Sequence, residues 1–327
     1  LLRRHSREKR EVQPMVHASA RPRRSLGPVA FQPPRALGVI VGGAFAAWAL
    51  VIAVLAIRAA LGGDAEFKTF LAIGVAGVSL VAGALFANWA YALHSLSYEI
   101  DNESLTIRWG FRRVLVPIST IQRMIPGRTL DVANVKGLNW WGCHVGGAEV
   151  KRIGYTLFYS THSTPDELLY LVTTGSAFAL TVLDQAAFAE EIQARADLAA
   201  VQGDWIQRST ASGLASLPFW RDRVSMLVVV IGAALSSILG GYVYANYPGL
   251  PKVVELSFPA LGGVVRVGDK SELLRIAFLG AGVLGFNAVA GVALHARERA
   301  AGLWLFAGSS IIQVVLLGAA VLAFAKA

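Results

Sequence analysis

Residues 98–124, YEIDNESLTIRWGFRRVLVPISTIQRM, decide how the rest of this chain is divided. Tyr98, Ile100, Leu105 and Ile107 alternate with polar residues, the two-residue period of strands buried on one face. DNES (101–104) supplies a turn, and Gly110–Phe111 reverses the chain into RRVLVPI (112–118), after which STIQRMIPG (119–127) continues. Successive antiparallel strands joined by tight turns are expected. A Gly/Asn-rich stretch, 127–152, interrupts the pattern; YTLFYST (155–161), LLYLVTT (168–174) and AFALTVL (177–183) resume it, separated by STPD and Gly175–Ser176. Asp184 then caps a helix over 185–200 with an apolar face of Phe188, Ile192 and Leu198. This is six or seven strands followed by one helix.

On either side the texture is different. The chain is 55% apolar and 16% charged, with a mean hydropathy of +0.53, so its apolar excess must lie in long segments. Five reach spanning length, at about 36–57, 69–93, 225–246, 275–294 and 301–325. The net charge of +9 is uneven: residues 1–35 carry nine Lys/Arg against two Glu, whereas 98–200 hold nine basic and eleven acidic residues. The basic tail, RDR (221–223) and HARER (295–299) fall on one side of a five-span arrangement, which the positive-inside rule makes cytoplasmic. The balanced loop 247–274 is then external. The tail is rich in Pro, Arg and Ser and reads as disordered; it opens on Leu, with Met15 an alternative start, and its basic stretch is too long for a signal peptide. No folded basic domain accompanies it, so nucleic acid is not expected as a partner. One cysteine, Cys143, excludes an internal disulfide and a cysteine-cluster metal site.

The 98–124 stretch resembles the opening of bacterial pleckstrin-homology (PH) domain membrane proteins. In these, two spans precede a Y-x-(I/L)-x-(D/N)-x-x-L-x-(I/V) strand pair, and a basic strand runs into an I-P-(L/I)-x-x-I turn, here VPISTI (116–121). The resemblance covers about 100 residues and implies an integral membrane α-helical protein with an inserted PH-like β-barrel capped by one C-terminal helix. The expected organisation is a tail (1–35), a transmembrane hairpin (36–94), the PH-like domain (95–202), an interfacial linker (203–224) and three further spans (225–327). The loop 246–273 is similar, over about 25 residues, to one in an uncharacterised multi-pass family that includes toxin-immunity proteins. Leu250-Pro251, Val254, Phe258, Gly262 and Lys270 fit, while Glu255, Ser257 and Val265 depart.

Candidate contact residues follow. Arg108, Arg112 and Arg113 beside one hairpin, and Lys151–Arg152 before another strand, are candidate contacts to anionic lipid headgroups or a protein partner; an exposed sheet face carries such charges in any case. Trp140, Trp141, Trp205 and Trp220 are candidate interfacial anchors. Trp140–Trp141 precede Cys143–His144, an adjacent pair too small for a metal site on its own. Asn287, Ser309, Ser310 and Gln313 are the polar residues expected to bond between spans. Gly38/Gly42, Gly74/Gly77, Gly232/Ser236 and Gly280/Gly285 allow close helix approach, within the bundle or against a partner subunit. No paired carboxylates, Ser-His-Asp set or metal cluster can be assembled from the sequence. The expected function is a non-enzymatic accessory or scaffold protein of the bacterial inner membrane. It would have no cofactor, its PH-like domain would be cytoplasmic, and its partners would be the bilayer and a protein or larger membrane complex. Alternatives are an immunity, stress-response or signal-transduction protein, and a small-solute transporter or channel component.

Overall fold

The computed structural model describes residues 27–131, 133–199, 208–211, 216–255 and 267–326. Five of its helices are long and apolar enough to cross a membrane: α1 (Ala36–Leu61), α2 (Phe67–His94), α4 (Arg223–Asn246), α5 (Ser271–His295) and α6 (Arg299–Lys326). At 1.5 Å per residue, 25 residues reach about 37 Å, more than a hydrocarbon core of about 30 Å. Their outer faces carry apolar side chains with nothing over them, such as Val78, Phe286, Val289 and Trp304, which suits lipid and not water.

The helices share a common sidedness. Phe70, near the start of α2, lies against Gly240 and Tyr244 at the far end of α4, so the end of α2 and the start of α4 point the same way. The start of α4 is tied in turn to the end of α5 and the start of α6 through Asp222. The β-domain and the segments 221–223 and 295–299 therefore occupy one end of the bundle. The 62–66 turn and the short hairpin of β12 (Val253–Glu255) and β13 (Val267–Asp269) occupy the other.

The domain between α2 and α4 is built from two sheets. One has the order β1 (Val29–Phe31), β2 (Ser97–Ile100), β3 (Ser104–Trp109), β4 (Arg112–Pro117), β11 (Arg208–Ala211). The other runs β5 (Ile121–Pro126), β9 (Leu168–Thr173), β10 (Ala177–Thr181), β8 (Gly154–Ser160), β7 (Cys143–Val150), β6 (Lys136–Trp140). Among the described residues only β10 and β8 pair in parallel. Among the described residues the ladders do not run from one sheet into the other, so the strands form two layers where a barrel was expected. Ile100, Leu105, Ile107, Val114 and Val116 of the first sheet meet Leu169, Leu171, Phe178 and Leu180 of the second, and Phe188 and Ile192 of α3 (Gln185–Ala199) close the core. The side chain of Leu198 lies outside the described residues.

β9 is buried at every position because its other face is covered too: Leu168 and Tyr170 pack with Phe158, Val150 and Val135, and Leu130 and Ala133 pack against that cluster. Tyr98, the first residue of the strand-pair motif, is fully buried between the sheets. Its hydroxyl donates to the Tyr159 carbonyl (2.6 Å) and accepts from the Thr181 amide (3.3 Å), so it bolts β2 to β8 and β10.

Three sequence expectations need correction. Val29–Phe31, within the stretch expected to be disordered, pairs antiparallel with Tyr98–Ile100 as an edge strand. Phe31 is drawn there by an edge-to-face contact with Phe188 (5.0 Å). The fully buried Arg195 donates to the Gly27 carbonyl (2.8 Å) and pairs with Glu191 (2.5 Å). The Gly/Asn-rich 127–152 stretch contains the β6–β7 hairpin, because its glycines sit where strands approach each other closely. Finally, Arg208–Ala211, assigned to the linker, is a strand paired with β4. The domain is thus discontinuous, and a 95–202 fragment lacks both edge strands of its first sheet. Residues 1–26, Trp205, and Ser257, Phe258, Gly262 and Val265 of the 246–273 loop lie outside the described residues.

Candidate docking surface at the membrane boundary

Three contacts fix the domain to α1 and α2. First, β1 leads straight into α1, and Arg35, just before the helix, donates to the carbonyl of His94 at the end of α2. Second, the β3–β4 turn rests on the last turn of α2. Gly110 (φ 57°) lies against Ala92, where a Cβ would come within 3.0 Å, and Phe111 stacks on Tyr91 (5.4 Å). Third, the β6–β7 turn lies on the start of α1. Gly142 takes φ 77°, and its backbone touches that of Gly38 so closely that a Cβ on either would overlap the other. The glycine at 38 therefore receives a β-turn, whereas Gly42, one turn on, meets Ala90 of α2. Gly74, Gly77 and Gly285 have open space beside them.

From that turn the hairpin tip reaches alongside the helices. Trp140 packs on Trp89 (5.0 Å) and Phe86 (6.0 Å), and Phe86 stacks on Phe45 of α1 (5.2 Å). Phe86 lies eight residues before His94, or about 12 Å along α2. Trp140 is thus half-buried against the spans, while Trp141 is 72% exposed at the same level. Trp220 meets Phe219 edge to face (5.2 Å) just before α4.

The structure separates the basic residues that the sequence grouped. Arg112 and Arg113 are exposed beside the β3–β4 turn, at the level where α2 ends, with no ion-pair partner among the described residues. Arg108 stands directly across from Arg113, and its charge is taken up by Glu99 (3.3 Å). β7 is roughly 24 Å long for a strand rising about 3.4 Å per residue, and Lys151 and Arg152 lie beyond its other end from Gly142. Lys151 pairs there with Asp131 (3.2 Å).

Near the boundary, an open cleft of about 820 Å³ lies between the end of β5, the start of α3 and Pro34. It mixes Arg128 and His162 with Asp166, Glu167 and Asp184. Two of these carboxylates already have partners, Asp184 capping α3 at the Ala187 amide (2.9 Å) and Glu167 accepting from Thr164 (2.5 Å). Cys143 is fully buried, and burial pushes its thiol up to about 12, which leaves it without thiolate character. Among the described residues no cluster of three or more His, Cys, Asp or Glu side chains could hold a metal.

Within the bundle, Gln313 is the polar residue that bridges spans, donating to the Gly280 carbonyl (2.7 Å). Ser310 bonds back to Phe306 of its own helix (3.3 Å), and Ser309 is buried with its hydroxyl unpaired among the described residues. Asn287 is half-buried and has no hydrogen-bond partner among the described residues. The expected Asn287–Ser309/Ser310 layer is therefore replaced by one side-chain-to-backbone bond at Gly280, where the missing side chain opens the carbonyl. Sequence reasoning missed the polar joint at the domain end. Asp222 caps α4 and accepts from Arg299 (2.7 and 3.2 Å), from Ser225 (3.0 Å) and from the buried His295 (3.0 Å). These partners, Arg299 foremost, hold its carboxyl well below the usual carboxylate range. The only signal was an acid within RDR facing the basic HARER, which orientation rules read as charge alone.

Residues 96–196 match the family model of the bacterial PH domain. No curated protein and no solved structure matches the chain. The PH domain match starts at Leu96, and Tyr98 and the strand pair after it fall in its opening. It ends at Ala196, in the last turn of α3, so β1 and β11 lie outside the matched segment.

Proposed function

We propose that this protein is a non-enzymatic docking platform of the bacterial inner membrane, with its PH domain cytoplasmic and held in a fixed pose for a protein partner. The observation that carries this reading is the triple attachment of the domain to α1 and α2, through β1, Gly110 and Gly142. A domain on a flexible tether searches, whereas one wedged against two spans presents the same face to anything moving in the bilayer plane. The cleft at Arg128, Asp166 and Asp184 carries both signs of charge beside apolar Leu183, which is 78% exposed. That mixture suits a protein surface better than a phosphate.

The test is purification of the full chain from its native membrane in mild detergent, with a photo-crosslinking residue at Leu183 and, as control, at Arg152. A stoichiometric adduct from position 183 that exceeds that from 152 supports the platform. A chain that emerges as a clean monomer, with no adduct at either position, overturns it. A second reading, contact with anionic headgroups, is favoured at the Arg112–Arg113 tip, which has no ion-pair partner among the described residues. There each basic residue is worth about 1 kcal/mol near an anionic surface.

A further inference from the structure

We propose that the groove between α1 and the β6–β7 hairpin seats one glycerophospholipid with a zwitterionic, ammonium-bearing headgroup, of the phosphatidylethanolamine class. The groove holds about 580 Å³, within the roughly 300–1,000 Å³ of ligand clefts. Its residues grade from apolar to polar. Leu37 and Phe45 on α1 form one end, eight residues or about 12 Å apart along the helix; Trp141 flanks the middle; His144, Ser163 and Thr164 form the other end. Since α1 is a spanning helix, this gradient runs the same way as that of the bilayer, from acyl chain to headgroup. A lipid is what lies beside α1 there.

The polar end selects the headgroup. No lysine or arginine is among the described residues that line the groove, so an anionic headgroup finds no permanent counter-charge. Acceptors are present. His144 Nδ1 lies 2.6 Å from Asn139 Oδ1, which fixes the proton on Nδ1 and leaves Nε2 as a lone-pair acceptor. Burial and the neighbouring His162 lower the His144 pKa and keep the ring neutral. Thr164 donates its hydroxyl hydrogen to Glu167 and keeps its oxygen as an acceptor, while Glu167 itself lines the neighbouring cleft, 3.7 Å from His162 Nε2. An ammonium group matches these acceptors, and the Ser163 hydroxyl can donate to the phosphate. The site is separate from the Arg112–Arg113 tip and does not depend on a protein partner.

The test uses the full chain reconstituted in vesicles of equal phosphatidylethanolamine and phosphatidylglycerol, re-extracted in mild detergent, with retained lipid quantified by mass spectrometry. The expected result is about one retained phospholipid per chain, predominantly phosphatidylethanolamine, falling about tenfold in Ser163→Trp, which fills the groove from an exposed position. Leu37→Gln, which strips the apolar end, should show the same loss and carries the comparison if Ser163→Trp does not fold. Retention unchanged in a folded variant, equal retention of both lipids, or a preference for phosphatidylglycerol would each overturn the assignment.

Discussion

The contact between Gly38 and Gly142 carries much of the argument for a fixed domain, and it can be tested as a thermodynamic cycle. In Gly38→Ala the new methyl group meets the Gly142 backbone with no strain of its own in the helix, so the cost is that of overpacking, about 1–3 kcal/mol. Gly142→Ala suffers the same overlap from the other side. It must also hold φ 77°, which adds about 1–2 kcal/mol for a residue with a Cβ. If the hairpin lifts to relieve the clash, Trp140 loses its rings on Trp89 and Phe86, worth about 0.5–1.5 kcal/mol each. Either substitution alone breaks the contact, so the second meets no overlap. The double variant should cost only about 1–2 kcal/mol more than Gly38→Ala, well short of the sum. Mixed-micelle denaturation of the full chain, followed by tryptophan fluorescence, measures all four corners. If Gly38→Ala lies within about 0.5 kcal/mol of the unsubstituted protein, or the two effects add, the hairpin is not seated on α1 as described.

Two further outcomes follow from the bundle. The Asp222 carboxyl titrates lower in the folded than in the unfolded chain, so its stabilising contribution is present above about pH 4 and is lost as the pH falls through the folded value. Asp222→Asn should therefore be less stable at pH 7, with the gap to the unsubstituted protein closing under acid; a gap constant from pH 7 to pH 3 contradicts the Arg299–His295 joint. At Gly280 a Cβ would come within 2.7 Å of Leu239 and 2.8 Å of Gln313 Oε1. Gly280→Ala should thus cost about 1–3 kcal/mol by detergent denaturation, whereas Gln313→Leu, which also removes an Oε1 without a partner among the described residues, should stay within about 1 kcal/mol. The reverse order would show that the hydrogen bond, not the close packing, holds α5 to α6.

Some of this organisation is written locally and could be read without coordinates. Five spans follow from length and hydropathy, since a bilayer core demands about 20 apolar residues whatever packs beside them. The strand pair at 98–107 and the helix after Asp184 follow from period and capping, which act between residues a few positions apart. Tyr98 was legible as a motif position, but its role in joining β2 to β8 and β10 spans 61 and 83 residues of sequence and leaves no local trace.

What the tertiary structure alone decided lies where distant segments meet. Val29–Phe31 is three residues long, too short for any period, and becomes a strand only because β2 offers an open edge and Phe188 and Arg195 offer partners. The glycines at 38 and 142, the first read as helix spacing and the second as loop, acquired their meaning from contact with each other. Arg112 and Lys151 are equally basic on the page. Strand direction set one beside the membrane and the other at the far end of β7, because a charge acts through its position and position is a property of the fold.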